Sequence, residues 1–352
     1  MTSLDLRSGS VELTRALCDI ESVSGAEGPL ADAIEAALRP LSHLQVIRDG
    51  NTLIARTQLG RPQRIIIAGH IDTVPINDNL PTREVEGEVW GRGTVDMKAG
   101  VAVQLTLAAE LTEPRFDLTW VWYDNEEVAS DLNGLGRVAR TRPELLSADF
   151  GILGEPSNGI IEGGCNGTIR VELRTRGTRA HSARAWMGHN AIHDLHSVLA
   201  RLAAFESATV RVDGLDYREG LNAVRIRGGV AGNVIPDEAV VEVNYRFAPN
   251  RRASDAVSEL RALFPEVELD VVDASEGARP GLDAPLAVDL ITAVGVPARA
   301  KYGWTDVARL SSLGIPAVNF GPGNPSLAHA DDERVSIAQI RSTEEALRTW
   351  LS

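Results

Sequence analysis

The chain has 352 residues, 43% of them hydrophobic, with 35 Lys and Arg against 49 Asp and Glu and a formal net charge of -14. That length exceeds what one hydrophobic core usually supports and points to two domains. So acidic a chain repels phosphate backbones and anionic lipid surfaces, which argues against nucleic-acid and membrane partners. The opening residues, MTSLDLRSGSVELTRALCDI, lack the basic start and apolar run of a secretory signal, and no later stretch approaches bilayer-spanning length. A cytoplasmic protein is expected.

In chain order, Cys18 comes first among the informative residues, on the apolar stripe of an amphipathic helix with Leu13, Leu17 and Ile20, where it reads as a core residue. Cys165 is the only other cysteine, so neither a disulfide framework nor a Cys-type zinc site is available. Residues 64–69 (RIIIAG) form a short apolar strand, 99–111 a helix, 118–123 (LTWVWY) a second strand and 150–153 (FGIL) a third. This alternation argues for an α/β fold with a mostly parallel sheet covered by helices. Polar residues follow each strand directly, where open α/β sheets place their sites. After Gly167 the texture changes to alternating segments at 168–174 and 239–247, with helices near 190–205 and 253–264, as in a compact α+β unit. Helical periodicity resumes at 286–294, and 317–320 (AVNF) is a last apolar strand leading to Gly321-Pro322-Gly323. The expected organisation is a discontinuous catalytic domain, 1–166 and 279–352, interrupted by an inserted domain, 167–278.

Several residues at strand ends could carry chemistry. In Gly69-His70-Ile71-Asp72, extended chain puts His70 and Asp72 on one face. A metal-ligating His usually gives its other ring N–H to a carboxylate, so Asp72 can orient His70; alone, His70 would more simply cap a strand. Asp96 ends the glycine-bearing loop Trp90-Gly91-Arg92-Gly93-Thr94-Val95-Asp96 just before a helix, a position commoner for an N-cap than for a ligand. That loop lacks the GxxxxGK[ST] pattern of a phosphate cradle. The adjacent Glu126 and Glu127 repel each other unless something positive holds them; one can ligate a dication while its neighbour acts as general base, and the plainer reading is a solvated acidic turn. Pro156 biases Glu155 to an extended conformation, and His329 lies in a loop too rich in Gly and Pro to be helical. Two His and three carboxylates make a set that suits zinc, with cobalt or manganese as alternatives.

Taken in order, GHIDTVP, GRGTVDMKAG, the Glu126-Glu127 pair, GEP and the late His329 resemble the di-zinc aminoacylase and carboxypeptidase family over nearly the whole chain. The resemblance implies a zinc-peptidase-like catalytic domain with an inserted α+β lid and dimerisation domain. It implies two zincs per subunit: Asp96 bridging, His70 and Glu155 on one metal, Glu127 and His329 on the other. Asp72 becomes the partner of His70 and Glu126 the general base. The family's GxxAHSA-like segment is Gly177-Thr178-Arg179-Ala180-His181-Ser182-Ala183, which makes His181 the candidate for holding the developing oxyanion, often across a homodimer. His189, His193 and His196 are assigned to the following helix.

Residues 162–192 (EGGCNGTIRVELRTRGTRAHSARAWMGHNAI) are similar to members that hydrolyse N-succinyl-LL-2,6-diaminopimelate to succinate and LL-2,6-diaminopimelate. The alternatives are members that deacetylate acetylornithine or remove carboxyl-terminal amino acids and, from another class, a non-catalytic ligand-binding relative. A substrate with several carboxylates needs local positive potential, for which Arg184, Arg246 and Arg179 are candidates beside the metals. Asn233, in Gly232-Asn233-Val234-Ile235-Pro236, matches a substrate-side segment, as does Arg246. Departures fall on the same side of the site: the usual GGTSD appears as Gly303-Trp304-Thr305-Asp306, Asn324 stands five residues ahead of His329, and an expected Arg is replaced by the Cys165-Asn166 region. Thr305 and Asn324 complete the candidate substrate contacts.

Overall fold

The structure, a computed structural model, describes residues 4–352. The chain folds into two compact units: residues 4–164, 280–299 and 305–352 form the first, and residues 165–279 with 300–304 the second. Among the described residues no helix is long and apolar enough to cross a membrane.

The first unit is built on a mixed sheet. From one edge its strands run Gln45–Asp49, Thr52–Arg56, Asp117–Tyr123, Arg64–His70, Phe150–Leu153, Ala317–Asn319 and Glu162–Gly163. The four middle strands, from Asp117–Tyr123 to Ala317–Asn319, are mutually parallel, and antiparallel neighbours flank them. Their largely apolar sequences follow from burial on both faces. Ile65, Ile67, Trp120 and Trp122 join the core under the helices Ser10–Cys18, Gly28–Leu38, Ala99–Glu110 and Ile337–Leu351. Full burial of each such side chain stabilises the fold by about 1.5–3 kcal/mol. On the opposite face Ile66 packs near Leu310 of the short helix Val307–Ser312, over Gly151.

Because the middle strands are parallel, their carboxyl ends lie along one edge of the sheet. His70 is the last residue of its strand, Asp124 to Glu127 directly follow Tyr123, and Glu155 comes two residues after Leu153. Two glycines let these ends crowd together: a Cβ on Gly100 or on Gly321 would lie 2.2 Å from the carbonyl oxygen of Gly154. Only hydrogen fits at either position, so the start of the helix Ala99–Glu110 and the chain after Ala317–Asn319 both press on the backbone that carries Glu155.

The second unit is an antiparallel sheet in the order Gly220–Gly228, Glu238–Phe247, Gly167–Arg176, Glu268–Ser275. In Gly167–Arg176 the odd positions Ile169, Val171 and Leu173 are buried against the helices Ala191–Ala203 and Ala253–Leu263. The even positions carry Glu172, Arg174 and Arg176, which pair across strands with Arg227, Glu238 and Glu268. Period-two alternation with one covered and one charged face is the pattern of an antiparallel sheet. A hairpin, Thr209–Val212 with Leu215–Arg218, completes the unit. His189 lies just ahead of the helix Ala191–Ala203 rather than in it, because Asn190 caps that helix; His189 pairs with Asp194 at 2.6 Å.

Candidate metal centre

The site of the first unit is best followed outward from Asp72. Its side chain is fully buried, and its Oδ1 lies 3.5 Å from Nδ1 of His70, which also contacts the Asp72 carbonyl oxygen at 3.1 Å. The same carboxylate accepts the backbone N–H of Glu126 at Oδ1 (3.0 Å), the N–H of Glu127 at Oδ2 (3.1 Å) and the Ser24 hydroxyl at Oδ2 (2.7 Å). One buried charge thus fixes the ring of His70 and the backbone of the acidic pair. A buried carboxylate is tolerable only when so many donors satisfy it.

With Nδ1 so occupied, His70 turns Nε2 to Oδ1 of Asp96 at 3.1 Å. The other oxygen of Asp96, Oδ2, lies 3.4 Å from Nε2 of His329, which is 2.8 Å from Oε1 of Glu127. Ligand-capable atoms of His70, Asp96 and Glu127 all lie within 4.8 Å of one another. Asp96 therefore stands between two half-sites, one oxygen toward each. It does not cap the helix Ala99–Glu110, whose N-cap position is Lys98; the backbone of Asp96 is extended (φ -119°, ψ 97°). His329 takes a left-handed backbone (φ 65°) after the short turn Pro325–Leu327.

Glu155 is buried, and its charge acts on Glu126. Burial pushes the Glu126 carboxyl well above its ordinary range; His70 pulls it back, while Glu155, Asp306 and Glu127 push it further. Burial also disfavours a charged His70, but Asp72 and Asp96 outweigh it and hold the imidazole well above its usual value. His329 is raised to about 10 by Asp96 and Glu127. Burial for Glu126, and crowded carboxylates for His70 and His329, together leave the site short of positive charge. A dication meets that demand, and imidazole nitrogens with carboxylate oxygens are donors that suit one.

Sequence reasoning missed two buried charged residues near Asp96, one of which holds its backbone. Glu333, 1% exposed, accepts the backbone N–H of Val95 at 3.0 Å and of Asp96 at 3.2 Å, and pairs with the buried Arg92 at 2.8 Å. Lys98 is buried as well, its Nζ donating to the carbonyls of Leu17 and Ile20 at the end of the helix Ser10–Cys18. In sequence Glu333 reads as part of a solvated run, Asp331-Asp332-Glu333-Arg334, and nothing local separates it from its neighbours. Lys98 left a signal, a lone cation between Met97 and a mostly apolar helix.

Of the other sequence candidates, Thr305 and Asn324 belong to the first unit. Thr305 is buried, its hydroxyl donating to Asn319 at 2.8 Å, and Asn324 spends its side-chain oxygen on the N–H of Ser326 at 3.0 Å. The second unit holds the rest. His181 is exposed, and its Nδ1 accepts the N–H of Ala183 at 3.1 Å, so in the neutral ring Nε2 carries the proton and is the outward donor. The chain around Asn233 pairs with the His181 segment: Ser182 N–H donates to the Asn233 carbonyl at 2.9 Å, and His181 and Val234 form a bridge. Arg184 is exposed in the turn Ser182–Met187, Arg179 pairs with Asp237 at 2.7 Å, and Arg246 bonds Asn244 at 3.0 Å. If Asp72 fixes both half-sites, Asp72→Ala should weaken divalent-metal affinity by about 10–100-fold. Titration with zinc against a competing chelator measures this, and unchanged affinity would refute the role.

Residues 66–352 match the model of peptidase family M20/M25/M40. The chain is 54% identical over 351 residues to a Mycobacterium tuberculosis protein named as the succinyl-diaminopimelate desuccinylase DapE, covering 99% of each chain. It is 48% identical over 363 residues to the succinyl-diaminopimelate desuccinylase of Corynebacterium glutamicum, covering 99% of this chain and 98% of the relative. In fold it is similar to the M20 family metallo-carboxypeptidase Sso-CP2 of Sulfolobus solfataricus, with a TM-score of 0.78 at 16% identity, covering 97% of this chain and 99% of that one. A dinuclear metal-binding M20 peptidase of Bacillus subtilis superposes with a TM-score of 0.71 at 18% identity, covering 97% and 96%. The α/β architecture, the crowded strand-end carboxylates and the match across most of the chain agree, and the chain belongs to peptidase family M20/M25/M40.

Proposed function

We propose that this protein hydrolyses N-succinyl-LL-2,6-diaminopimelate to succinate and LL-2,6-diaminopimelate, in diaminopimelate and lysine biosynthesis in the cytoplasm. Identity of 48% to the Corynebacterium glutamicum desuccinylase along essentially the whole of both chains carries the choice of substrate. The division of the Asp96 oxygens between His70 and His329 supports a two-metal hydrolytic centre. In this reading Asp96 would serve both of two zinc ions, for which cobalt or manganese could substitute, with His70 and Glu155 as the residues that would hold one and Glu127 and His329 the other. The bound dications supply Lewis acidity toward the amide carbonyl and acidify the attacking water.

The chain's own residues do the rest. Glu126 takes a proton from the water as its oxygen bonds to the succinyl carbon, and later passes that proton to the departing amine as the C–N bond breaks. Its raised carboxyl pKa suits a group that must both accept and return a proton. His181 donates from Nε2 to the oxyanion. Charge distribution supports roles for arginines of the second unit in gathering an anionic substrate: residues 165–279 and 300–304 hold 16 Lys and Arg against 16 Asp and Glu, whereas the rest of the chain holds 19 against 33. Arg184 and Arg246 offer planar carboxylate recognition, with Asn233, Thr305 and Asn324 as polar neighbours of the substrate. A homodimer through the second unit is part of this reading; the outer strand Gly220–Gly228 presents exposed Val224 and Ile226, an edge that natural proteins cover or pair.

Purified protein should turn over N-succinyl-diaminopimelate and lose that activity on chelation. Preference for acetylornithine would contradict the substrate. Glu126→Gln should keep its metal while turnover falls by about 100–10,000-fold; undiminished turnover removes Glu126 from the base role. His181→Ala should lower kcat by about 100–1,000-fold, and sedimentation at twice the chain mass is expected for the dimer. A wild-type kcat in the first measurement, or a monomer in the second, would sink the corresponding assignment.

A further inference from the structure

The loop between the first two helices contributes no metal ligand, yet its polar side chains converge on the backbone that frames the centre. Ser22 Oγ donates to the carbonyl of Ile71 at 2.6 Å, and Ser24 Oγ to Asp72 at 2.7 Å. Glu27 goes further. It is fully buried where the helix Gly28–Leu38 begins, but its side chain does not cap that helix. Its Oε1 accepts the N–H of Gly25 at 2.9 Å and the N–H of Asn125 at 3.2 Å. Its Oε2 is buried with no hydrogen-bond partner among the described residues.

Such a group is costly to keep. Burial pushes the Glu27 carboxyl above its ordinary range, the backbone N–H groups resist, and Asp72 and Asp124 add to the push. Starting a helix does not require this, since Ser, Thr, Asp or Asn would cap it with a shorter side chain. What Glu27 reaches instead is the turn into the acidic pair. Asn125 has a left-handed backbone (φ 59°) and bonds Asp124 through its own side chain at 2.8 Å. The next two N–H groups, of Glu126 and Glu127, rest on Asp72. Three consecutive amides are therefore each fixed by a buried carboxylate, and Glu27 supplies the first.

We propose that Glu27 is a positioning residue for the hydrolytic reaction: by fixing the turn at Asn125 it sets the aim of the Glu126 carboxylate. The proposal rests on the reading of Glu126 as general base. A displacement of about 1 Å at a catalytic group can cost on the order of 100-fold in rate.

Three substitutions separate reach from charge. Glu27→Gln keeps an acceptor oxygen in place, Glu27→Asp keeps the charge but withdraws it by one methylene, and Glu27→Ala removes both. With metal content equal to wild type, Glu27→Gln should stay within about threefold of wild-type kcat, while Glu27→Asp and Glu27→Ala lose about 10–100-fold in kcat with KM little changed. A wild-type kcat for Glu27→Asp, a Glu27→Gln as impaired as Glu27→Ala, or a loss confined to KM would overturn the proposal. If Glu27→Ala fails to fold, the contrast between Asp and Gln decides the matter. Glu126→Gln measured alongside distinguishes the two readings: its activity tests the base, whereas the Glu27 series reports on the turn whichever residue takes the proton.

Discussion

The carboxylate of Asp72 is the constraint on which the metal centre depends. A single buried charge faces the His70 ring and receives the Ser24 hydroxyl and the N–H groups of Glu126 and Glu127. Each contact alone is an ordinary hydrogen bond, but all converge on one group held away from water, where electrostatic interactions are strong and a missing partner is expensive. Glu333 does the same for the opposite wall, tying Arg92 to the backbone at Val95 and Asp96. The backbone that carries the candidate ligands Asp96 and Glu127 is thus held by two other buried carboxylates. This accumulation of negative charge is sustainable because these buried carboxylates meet backbone N–H groups or a cation.

The sheet explains why these groups can meet at all. His70, Glu127 and Glu155 are far apart in sequence, yet parallel strands bring their carboxyl ends to one edge. Gly100 and Gly321 then allow backbone to press on backbone behind Glu155, where any side chain would clash. A strand-end site gains precision from this arrangement, since His70, Glu127 and Glu155 each lie in or within a few residues of a packed strand.

Much of this was legible in the sequence. Alternating strands and helices announce the α/β sheet, and the runs 64–69, 118–123 and 150–153 stand out as strands, each within a residue of its bounds in the structure, because burial on both faces leaves no alternation to obscure them. The pairing of His70 with Asp72 followed from two-residue spacing at a strand end. Less legible was anything that depends on contacts distant in sequence. Glu333 looked like one of several exposed acids, and its importance comes from Arg92, some 240 residues earlier. Nothing in the sequence marks Glu27, whose carboxylate is committed to Asn125. Asp72 was recognised as the orienter of His70, while its grip on the acidic pair could not be read because Glu126 and Glu127 contribute backbone rather than side chain.

The proposed two-metal centre requires Asp96 to serve two metal positions at once. Metal analysis of the purified protein beside Asp96→Asn and His329→Ala tests this directly. Two equivalents per chain are expected for the wild type, loss of both from Asp96→Asn, and loss of only one from His329→Ala. A single equivalent in the wild type, or an Asp96→Asn protein that keeps one ion at wild-type affinity, would contradict it.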